Sequence, residues 1–269
     1  MVKTTQNEQD ALLAAAHAAA DAARAVTLSF FRTNRLETES KDLLGFDPVT
    51  VADRQAEQAI RGVLQTLRPQ DAIQGEEFGH TAGTSGLTWV LDPIDGTRGF
   101  ISGTPTWGTL ISVRDEHGPI LGLIDQPYIG ERFVGGFETA ELHRGADKTK
   151  IKVRPAAELS GSILFTTFPE VGSDLEGLAF HKLARQVKLT RYGMDCYAYA
   201  LLASGNVDLV VEAGLHPYDI QAPIAVIQAS GGIVTDWQGR PAHEGGRVIA
   251  AASAKLHEQA LAVLAEVGE

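Results

Sequence analysis

The chain has 269 residues, of which 44% are hydrophobic and 21% are charged. This length and composition allow one large domain or two modest ones with a sizeable core, and they exclude a disordered tail or a coiled coil. The formal net charge of -11, with no stripe of Lys and Arg, argues against a protein that coats nucleic acid.

The N-terminal region is predicted to be helical. The first ten residues, MVKTTQNEQD, lack the basic stretch and apolar core of a secretory signal. Apolar residues then recur at helical spacing and predict an amphipathic helix over 9–31, followed by a second helix over about 50–67. No window reaches the roughly eighteen uninterrupted apolar residues of a membrane span. The single cysteine, Cys196, excludes an internal disulfide and a Cys-rich zinc site, so we expect a soluble cytosolic protein with no membrane partner.

From residue 71 onward the hydrophobic period shortens to that of strands. The runs AIQG, TWVLD, WGTLISV, PILGLID and RFVGG predict a meandering sheet, which the two preceding helices can cover. We therefore expect an N-terminal α+β part over 1–152. Beyond it, the strands SILFTT, VKLTR, VDLVV, GIVTD and RVIAA alternate with helices expected over 173–187, 195–204, 219–230 and 254–267. This α/β part, 153–269, is expected to pack tightly against the first.

The segment WVLDPIDGT, residues 89–97, ends a hydrophobic run on two aspartates. Pro93 cannot donate a ladder hydrogen bond, so the strand is expected to end at Asp92. Asp92 and Asp95 then flank a tight turn, and two carboxylates that close repel each other unless a cation lies between them. An Asx turn that caps a helix explains these residues equally well when they are taken alone.

The residues around this turn can supply other parts of a metal and phosphate site. The Ile94 carbonyl offers a further oxygen ligand. Gly96 and Thr97 follow where a helix or turn presents free backbone N–H groups, which bind anions readily.

Three more acids extend the pattern, and each has a plainer explanation. Glu76 ends a short apolar run and is expected at the same sheet edge as Asp92, although a surface loop is its ordinary role. Asp219 heads an apolar helix as an N-cap or as an inward-facing acid. Asp53 lies three residues after Thr50, as in a capping box. Taken together, oxygen donors without His or Cys indicate Mg²⁺ rather than zinc, and metal-assisted phosphoryl chemistry.

Four segments in this order resemble the inositol monophosphatase family: DPVTVAD preceded by Lys41, GEE, WVLDPIDGT, and EAGLHPYD before an Ala-rich helix and GG. The likeness spans most of residues 41–236. It implies a layered αβαβα sandwich, as in fructose-1,6-bisphosphatase, that is usually dimeric. It also implies hydrolysis of phosphate monoesters with Mg²⁺ and inhibition by Li⁺.

The same resemblance implies ligands for two or three Mg²⁺ ions. Glu76, Asp92 and the Ile94 carbonyl would hold one ion, and Asp92, Asp95 and Asp219 another, with Glu76 reaching a third.

The resemblance also implies roles in the reaction. Thr97 and Glu76 would orient and deprotonate the attacking water, and Asp53 would hold the Thr97 hydroxyl. The Gly96 and Thr97 amides would bind the phosphate.

The chain departs from the family pattern at three places. Tyr218 replaces the usual Trp, and residues 221–223 (QAP) replace a run of small residues. Lys41 lies one position further from Pro-Val-Thr than in many members, which weakens its assignment to the catalytic loop.

The segments RGFISGTPTWGTLISV and YGMDCYAYALLASG resemble the branch of the family that acts on histidinol phosphate, whose leaving group carries an imidazole and an ammonium. Asp195 and Glu212 are candidate anionic contacts for such a group. An N-cap is an equally good role for Asp195, and a surface acid at a strand end is the other role for Glu212. Arg98 is a candidate phosphate contact that we expect at the rim.

Three functions follow from these patterns. A Mg²⁺-dependent histidinol-phosphate phosphatase is preferred, and an inositol, sugar or nucleotide monophosphatase is the alternative. A non-catalytic regulator that binds a phosphorylated ligand is the remote one, since it would have little need of Glu76, Thr97 and Asp53 together. No P-loop is present, which excludes a P-loop kinase.

Overall fold

The computed structural model describes residues 5–33, 38–40, 48–156 and 158–265. Within them, the α-helices are α1 (Gln6–Phe30), α2 (Val51–Leu67), α3 (Thr97–Ser102), α4 (Asp174–Ala184), α5 (Cys196–Ala203), α6 (Pro217–Ala229) and α7 (Ala254–Ala265). The predicted helices are thus confirmed, with ends that differ by a few residues. A short 3₁₀ turn covers Leu159–Gly161.

The strands form three sheets in these residues. A small pair contains β1 (Thr38–Ser40) and β2 (Pro48–Thr50). The largest sheet has the order β10-β9-β8-β7-β6-β5-β3-β4, with strands β3 (Ala72–Gly75), β4 (Gly79–Thr81), β5 (Thr88–Asp95), β6 (Gly108–Asp115), β7 (Gly118–Gln126), β8 (Glu131–Gly136), β9 (Thr139–Arg144) and β10 (Asp147–Lys150). Adjacent strands of this sheet are antiparallel, as the predicted meander requires, except that β3 and β5 are parallel.

The third sheet lies in the C-terminal part and is mixed. Its order is β12-β11-β13-β15-β14, formed by β11 (Ile163–Thr166), β12 (Leu189–Tyr192), β13 (Leu209–Leu215), β14 (Ile233–Thr235) and β15 (Gly246–Ala251). β11 is parallel to β12 and β13, whereas β15 is antiparallel to both of its neighbours.

Helices α1 and α2 cover one face of the eight-stranded sheet. The face of α1 that packs there is rich in alanine, including Ala16, Ala19 and Ala20, and these small side chains let α1 and α2 approach closely. They pack with Trp89 and Leu91 of β5 in one buried cluster. By length and composition alone α1 could cross a membrane. In the structure its buried face packs against α2 and the eight-stranded sheet.

Helices α5 and α6 lie between the two large sheets, and α4 and α7 cover the outer face of the second. This arrangement is the layered αβαβα sandwich. A Cβ on Gly135 would lie 2.3 Å from the Cα of Val226, and a Cβ on Gly122 would lie 2.3 Å from the Ala222 carbonyl oxygen. Glycine is needed at both positions because the backbone of α6 rests directly on β7 and β8. The division of the chain near residue 152 stays a prediction.

Candidate active site

The end of β5 brings two acids onto one side of the sheet. We expected this strand to end at Asp92, which is wrong, since β5 continues to Asp95 and pairs there with Gly108 of β6. A register shift between Asp92 and Asp95 lets the strand pass Pro93, which has no N–H to donate. Side chains three positions apart point to opposite faces of a regular strand, so the bulge is what allows these two carboxylates to meet.

The third acid of the cluster comes from the start of α6. Asp219 lies in the first turn, and its Oδ2 accepts a 2.7 Å hydrogen bond from the N–H of His216, the N-cap residue. The helix begins at Pro217, two residues before the predicted start. Oxygens of Asp92, Asp95 and Asp219 all lie within 4.8 Å of one another.

Glu76 reaches the same cluster from the strand next to β5. The parallel pairing aligns Gly75 with Leu91, and the Glu76 N–H donates to the Leu91 carbonyl at 3.1 Å. Glu76 therefore follows β3 beside Asp92, at the sheet edge where we expected it. Both residues line one cavity.

Burial and electrostatic repulsion both act on the carboxylates of this cluster. Burial, and then the charges of Glu76, Asp95 and Asp219, raise the pKa of Asp92 well above its ordinary value. Burial raises the pKa of Asp219 to about 7 despite the bond from His216. Acids held together in this way are stabilised by a bound cation.

Helix α3 starts directly after the end of β5, at Thr97. Gly96 is its N-cap, with φ of 82° in the left-handed region, and a Cβ there would lie 2.7 Å from Cγ of Asp195. The first N–H groups of a helix, here including those of Thr97 and Gly99, are not bonded by the helix's own carbonyls. An anion that binds these amides would lie beside the acidic cluster.

One implied contact differs from what the structure shows. The Thr97 hydroxyl donates to the Ile94 carbonyl at 3.2 Å, whereas the resemblance assigned this hydroxyl to Asp53. The carbonyl has a second lone pair, so its assignment to a metal stays a prediction. A hydroxyl at a helix start often bonds a carbonyl three residues back.

Asp53 forms a capping box with Thr50, which is the plainer of its two predicted roles. Its carboxylate accepts bonds from the Thr50 N–H (2.9 Å) and hydroxyl (2.6 Å). Burial raises the pKa of Asp53 to about 7 despite these bonds, and the charge of Glu76 adds to the rise.

The two acids predicted to contact substrate both line the cavity. Asp195 takes the N-cap position of α5, but its side chain forms no cap bond and accepts from the Thr106 hydroxyl at 3.2 Å. Its φ of 47° is unusual for a residue other than glycine. The Cys196 N–H, in the first turn of α5, donates to Asp95 Oδ2 at 2.6 Å.

Glu212 is a buried acid of β13 and not a surface residue, with 6% of its area exposed. Its Oε1 accepts from the Thr167 N–H (2.9 Å) and hydroxyl (2.5 Å), and its Oε2 accepts from the Tyr199 hydroxyl (2.7 Å). Burial raises its pKa despite these three bonds. A carboxylate has about four acceptor positions, so Glu212 keeps room for one more donor.

The cavity has a volume of about 370 Å³ and is walled partly by residues that sequence reasoning missed. Thr167, Phe168 and Tyr199 belong to this wall. Thr167 ends the predicted strand SILFTT and Phe168 follows it, and this position at a strand end was the only signal for them. Nothing local distinguishes Tyr199 from the other apolar positions of α5.

The remaining candidates have simpler positions. Arg98 is exposed on the rim of the cavity, as expected, with its guanidinium 4.8 Å from the ring centre of Phe168. Burial, followed by the charge of Asp95, raises the pKa of the Cys196 thiol well above its usual value, which argues against a nucleophile. Lys41 lies outside the described residues.

Comparison with known proteins covers this whole region. A model described as the inositol monophosphatase family matches residues 8–269. The bifunctional phosphatase IMPL2 of Arabidopsis thaliana chloroplasts is 41% identical over 268 residues, 96% of this chain and 76% of that protein. A histidinol-phosphatase of Streptomyces coelicolor is 35% identical over 93% of this chain and 95% of that one. The structure of an inositol monophosphatase from Zymomonas mobilis, 37% identical, covers 97% of this chain and 99% of its own with a TM-score of 0.83.

Proposed function

We propose that this chain, which belongs to the inositol monophosphatase family and is a phosphoric monoester hydrolase, converts histidinol phosphate and water to histidinol and phosphate. The choice of histidinol phosphate rests on two acids, Asp195 and Glu212. They line the same cavity as the acidic cluster of Asp92, Asp95 and Asp219. They supply negative charge where a cationic leaving group would lie. The Streptomyces coelicolor relative, a histidinol-phosphatase by name, supports the same substrate.

The acidic cluster suits Mg²⁺. Its donors are carboxylate oxygens. Burial raises their pKa values, and the repulsion between them that adds to this rise is relieved by a divalent cation. We assign Asp92, Asp95 and Asp219 to one ion, and Glu76, Asp92 and the Ile94 carbonyl to another, with a third ion at Glu76. When bound, Mg²⁺ lowers the pKa of water and neutralises charge on the phosphoryl oxygens.

The protein groups around the cluster have separate tasks. The amides of Gly96 and Thr97 hold the phosphate, which places the phosphorus beside Glu76. Glu76 and the Thr97 hydroxyl orient the water, and Glu76 takes its proton while the water oxygen bonds to phosphorus. The ester P–O bond breaks as this bond forms, and the leaving alkoxide takes a proton from solvent.

Asp195 and Glu212 would recognise the leaving group by its positive charge. Histidinol carries an ammonium and an imidazole, both of which donate hydrogen bonds and carry positive charge when protonated. Burial and the charge of Glu212 raise the pKa of Asp195 to about 6, so Asp195 is largely ionised at neutral pH. The open acceptor position on Glu212 can take one N–H donor.

An inositol monophosphatase is the second candidate. Two of the three donors to Glu212 are hydroxyls, so a hydroxyl of a polyol ring suits its remaining acceptor position as well. A non-catalytic role is disfavoured, because Asp195 and Glu212 would then have no chemical reason to share a cavity with the acidic cluster.

We further propose that the protein is a cytoplasmic homodimer that acts in histidine biosynthesis. Light scattering of the purified protein tests whether it is a dimer.

Comparison of kcat/KM for four substrates distinguishes these functions. Phosphate release is measured with Mg²⁺ on histidinol phosphate, inositol 1-phosphate, fructose 1,6-bisphosphate and adenosine 3′,5′-bisphosphate. We expect the highest kcat/KM for histidinol phosphate, and a selective loss of that preference in Asp195→Asn and Glu212→Gln. A preference of the wild type for any of the other three esters overturns the proposal.

A further inference from the structure

A buried ion pair on α2 lies outside the set of residues assigned to chemistry above. Glu57 is fully buried, and Nε of Arg61, one helical turn further on, donates to its Oε1 at 2.7 Å. Burying two charges is costly, so such a pair is weak evidence of a purely stabilising role. Its other contacts show what it holds.

The Glu57 carboxylate reaches beyond its own helix to the turn that follows β3. The N–H of Glu77 donates to Oε2 at 2.7 Å, and the N–H of Phe78 donates to Oε1 at 3.3 Å. The N–H of Glu76 donates to the Leu91 carbonyl. Three successive amides are therefore held, and Glu76 is the residue between the strand and the bonds to Glu57.

Close packing restricts this turn further. A Cβ on Gly75 would lie 1.9 Å from Oε1 of Glu57, so the carboxylate fills the space beside the residue that precedes Glu76. Arg61 extends the contact by donating to the Gly79 carbonyl (2.5 Å) and the Thr81 hydroxyl (3.0 Å). Together the pair ties α2 to both ends of the turn.

We propose that Glu57 is a positioning residue for Glu76: it fixes the turn so that the Glu76 carboxylate faces Asp92, with which it would hold the cation. This inference rests on the proposed metal site. Two donors approach two different oxygens of Glu57, and a glutamine offers only one acceptor oxygen, so Glu57→Gln must leave one amide facing an NH₂ group. The turn then shifts, and Glu76 shifts with it.

The test measures cation binding directly. Mg²⁺ is titrated calorimetrically into the metal-free full chain, at a temperature where circular dichroism shows each protein to be folded. We expect Glu57→Gln to bind Mg²⁺ roughly 10- to 100-fold more weakly, the range found when a group supporting a metal ligand is removed. Gly75→Ala, which keeps both charged side chains but displaces the Glu57 carboxylate, should weaken binding in the same direction, and it decides the matter if Glu57→Gln does not fold.

Asp208 provides a matched control. It is equally buried, pairs with the Arg154 guanidinium, and accepts a 2.7 Å bond from the N–H of Ile163. Asp208→Asn should lower the melting temperature and leave Mg²⁺ affinity within twofold of the wild type. Unchanged affinity in both Glu57→Gln and Gly75→Ala, or an equal loss in Asp208→Asn, overturns the positioning role. Absence of Mg²⁺ binding by the wild type refutes instead the metal site of the proposed function.

Discussion

Replacing Asp95 with asparagine should stabilise the metal-free protein while nearly abolishing turnover. Asp95 shares one site with Asp92 and Asp219, and burial followed by the charges of Asp195 and Asp219 raises its pKa well above the ordinary value. Asparagine keeps an oxygen that can accept the Cys196 N–H, and it removes only the charge. Relief of the repulsion should therefore raise the Tm of the metal-free protein, whereas loss of cation binding should lower kcat.

The magnitude follows from the distances. Two ionised carboxylates 4.8 Å apart repel by about 3.5 kcal/mol at an effective dielectric constant of 20. Partial protonation reduces this repulsion, and the weaker bond from Cys196 costs about 1 kcal/mol. We therefore expect the free energy of unfolding to rise by about 1–3 kcal/mol, and each kcal/mol raises Tm by about 2–4 °C in a chain of this size.

Thermal melts with EDTA and with Mg²⁺ measure both effects. The wild type should gain about 2.7 kcal/mol at a Mg²⁺ concentration 100 times Kd, whereas Asp95→Asn should gain little. Asp71→Asn is the control, because Asp71 is buried but accepts bonds from Arg68 (2.7 Å) and Trp89 Nε1 (2.9 Å). Its Tm should fall in both conditions.

Two results would refute this reasoning. One is a metal-free Asp95→Asn protein whose Tm is lower than that of the metal-free wild type and which Mg²⁺ stabilises as much as it stabilises the wild type. The other is ordinary kcat in the variant, which would remove Asp95 from the metal site.

Three further predictions concern other parts of the molecule. Tyr199→Phe removes the 2.7 Å donor to Glu212, so the free energy of unfolding should fall by about 1–3 kcal/mol, and kcat/KM should fall more for histidinol phosphate than for glycerol phosphate assayed in parallel. Burial, followed by the charge of Arg132, lowers the pKa of His17 to about 4, so the folded state binds fewer protons than the unfolded state between pH 4 and 6.5. The carboxyls of Asp53, Asp195 and Asp219, whose pKa values burial raises, act in the opposite sense in this window, so the test is a difference: the Tm of His17→Gln minus that of the wild type should increase as the pH drops from 6.5 to 4. Gly135→Ala should lower Tm because its Cβ would strike α6, whereas Gly62→Ala, in α2 with open space around it, should stabilise by about 0.5–1 kcal/mol in the same melts.

Local periodicity accounts for what the sequence determined by itself. Helices α1 and α2, the strands of the meander and the alternation after residue 152 were predicted because the repeat of apolar residues is a property of each segment alone. The acidic residues of WVLDPIDGT were recognised for the same reason, since the motif is contiguous. The order of the layers came from family resemblance and not from any pattern of residues.

Tertiary structure decided where those segments end and what their side chains meet. The strand passes Asp92 because pairing with β6 continues to Gly108 through a bulge, and no residue of β5 alone indicates this register. The Thr97 hydroxyl found the Ile94 carbonyl and not Asp53.

Partners distant in the chain were equally hidden from sequence reasoning. The donors to Glu212 come from the β11–α4 loop and from α5, and the acceptor for the turn after β3 comes from α2. Sequence spacing carries information over one or two helical turns, whereas these contacts depend on how sheets and helices pack. The residue types needed for the chemistry are therefore legible in the chain, but their convergence on one cavity is a result of the fold.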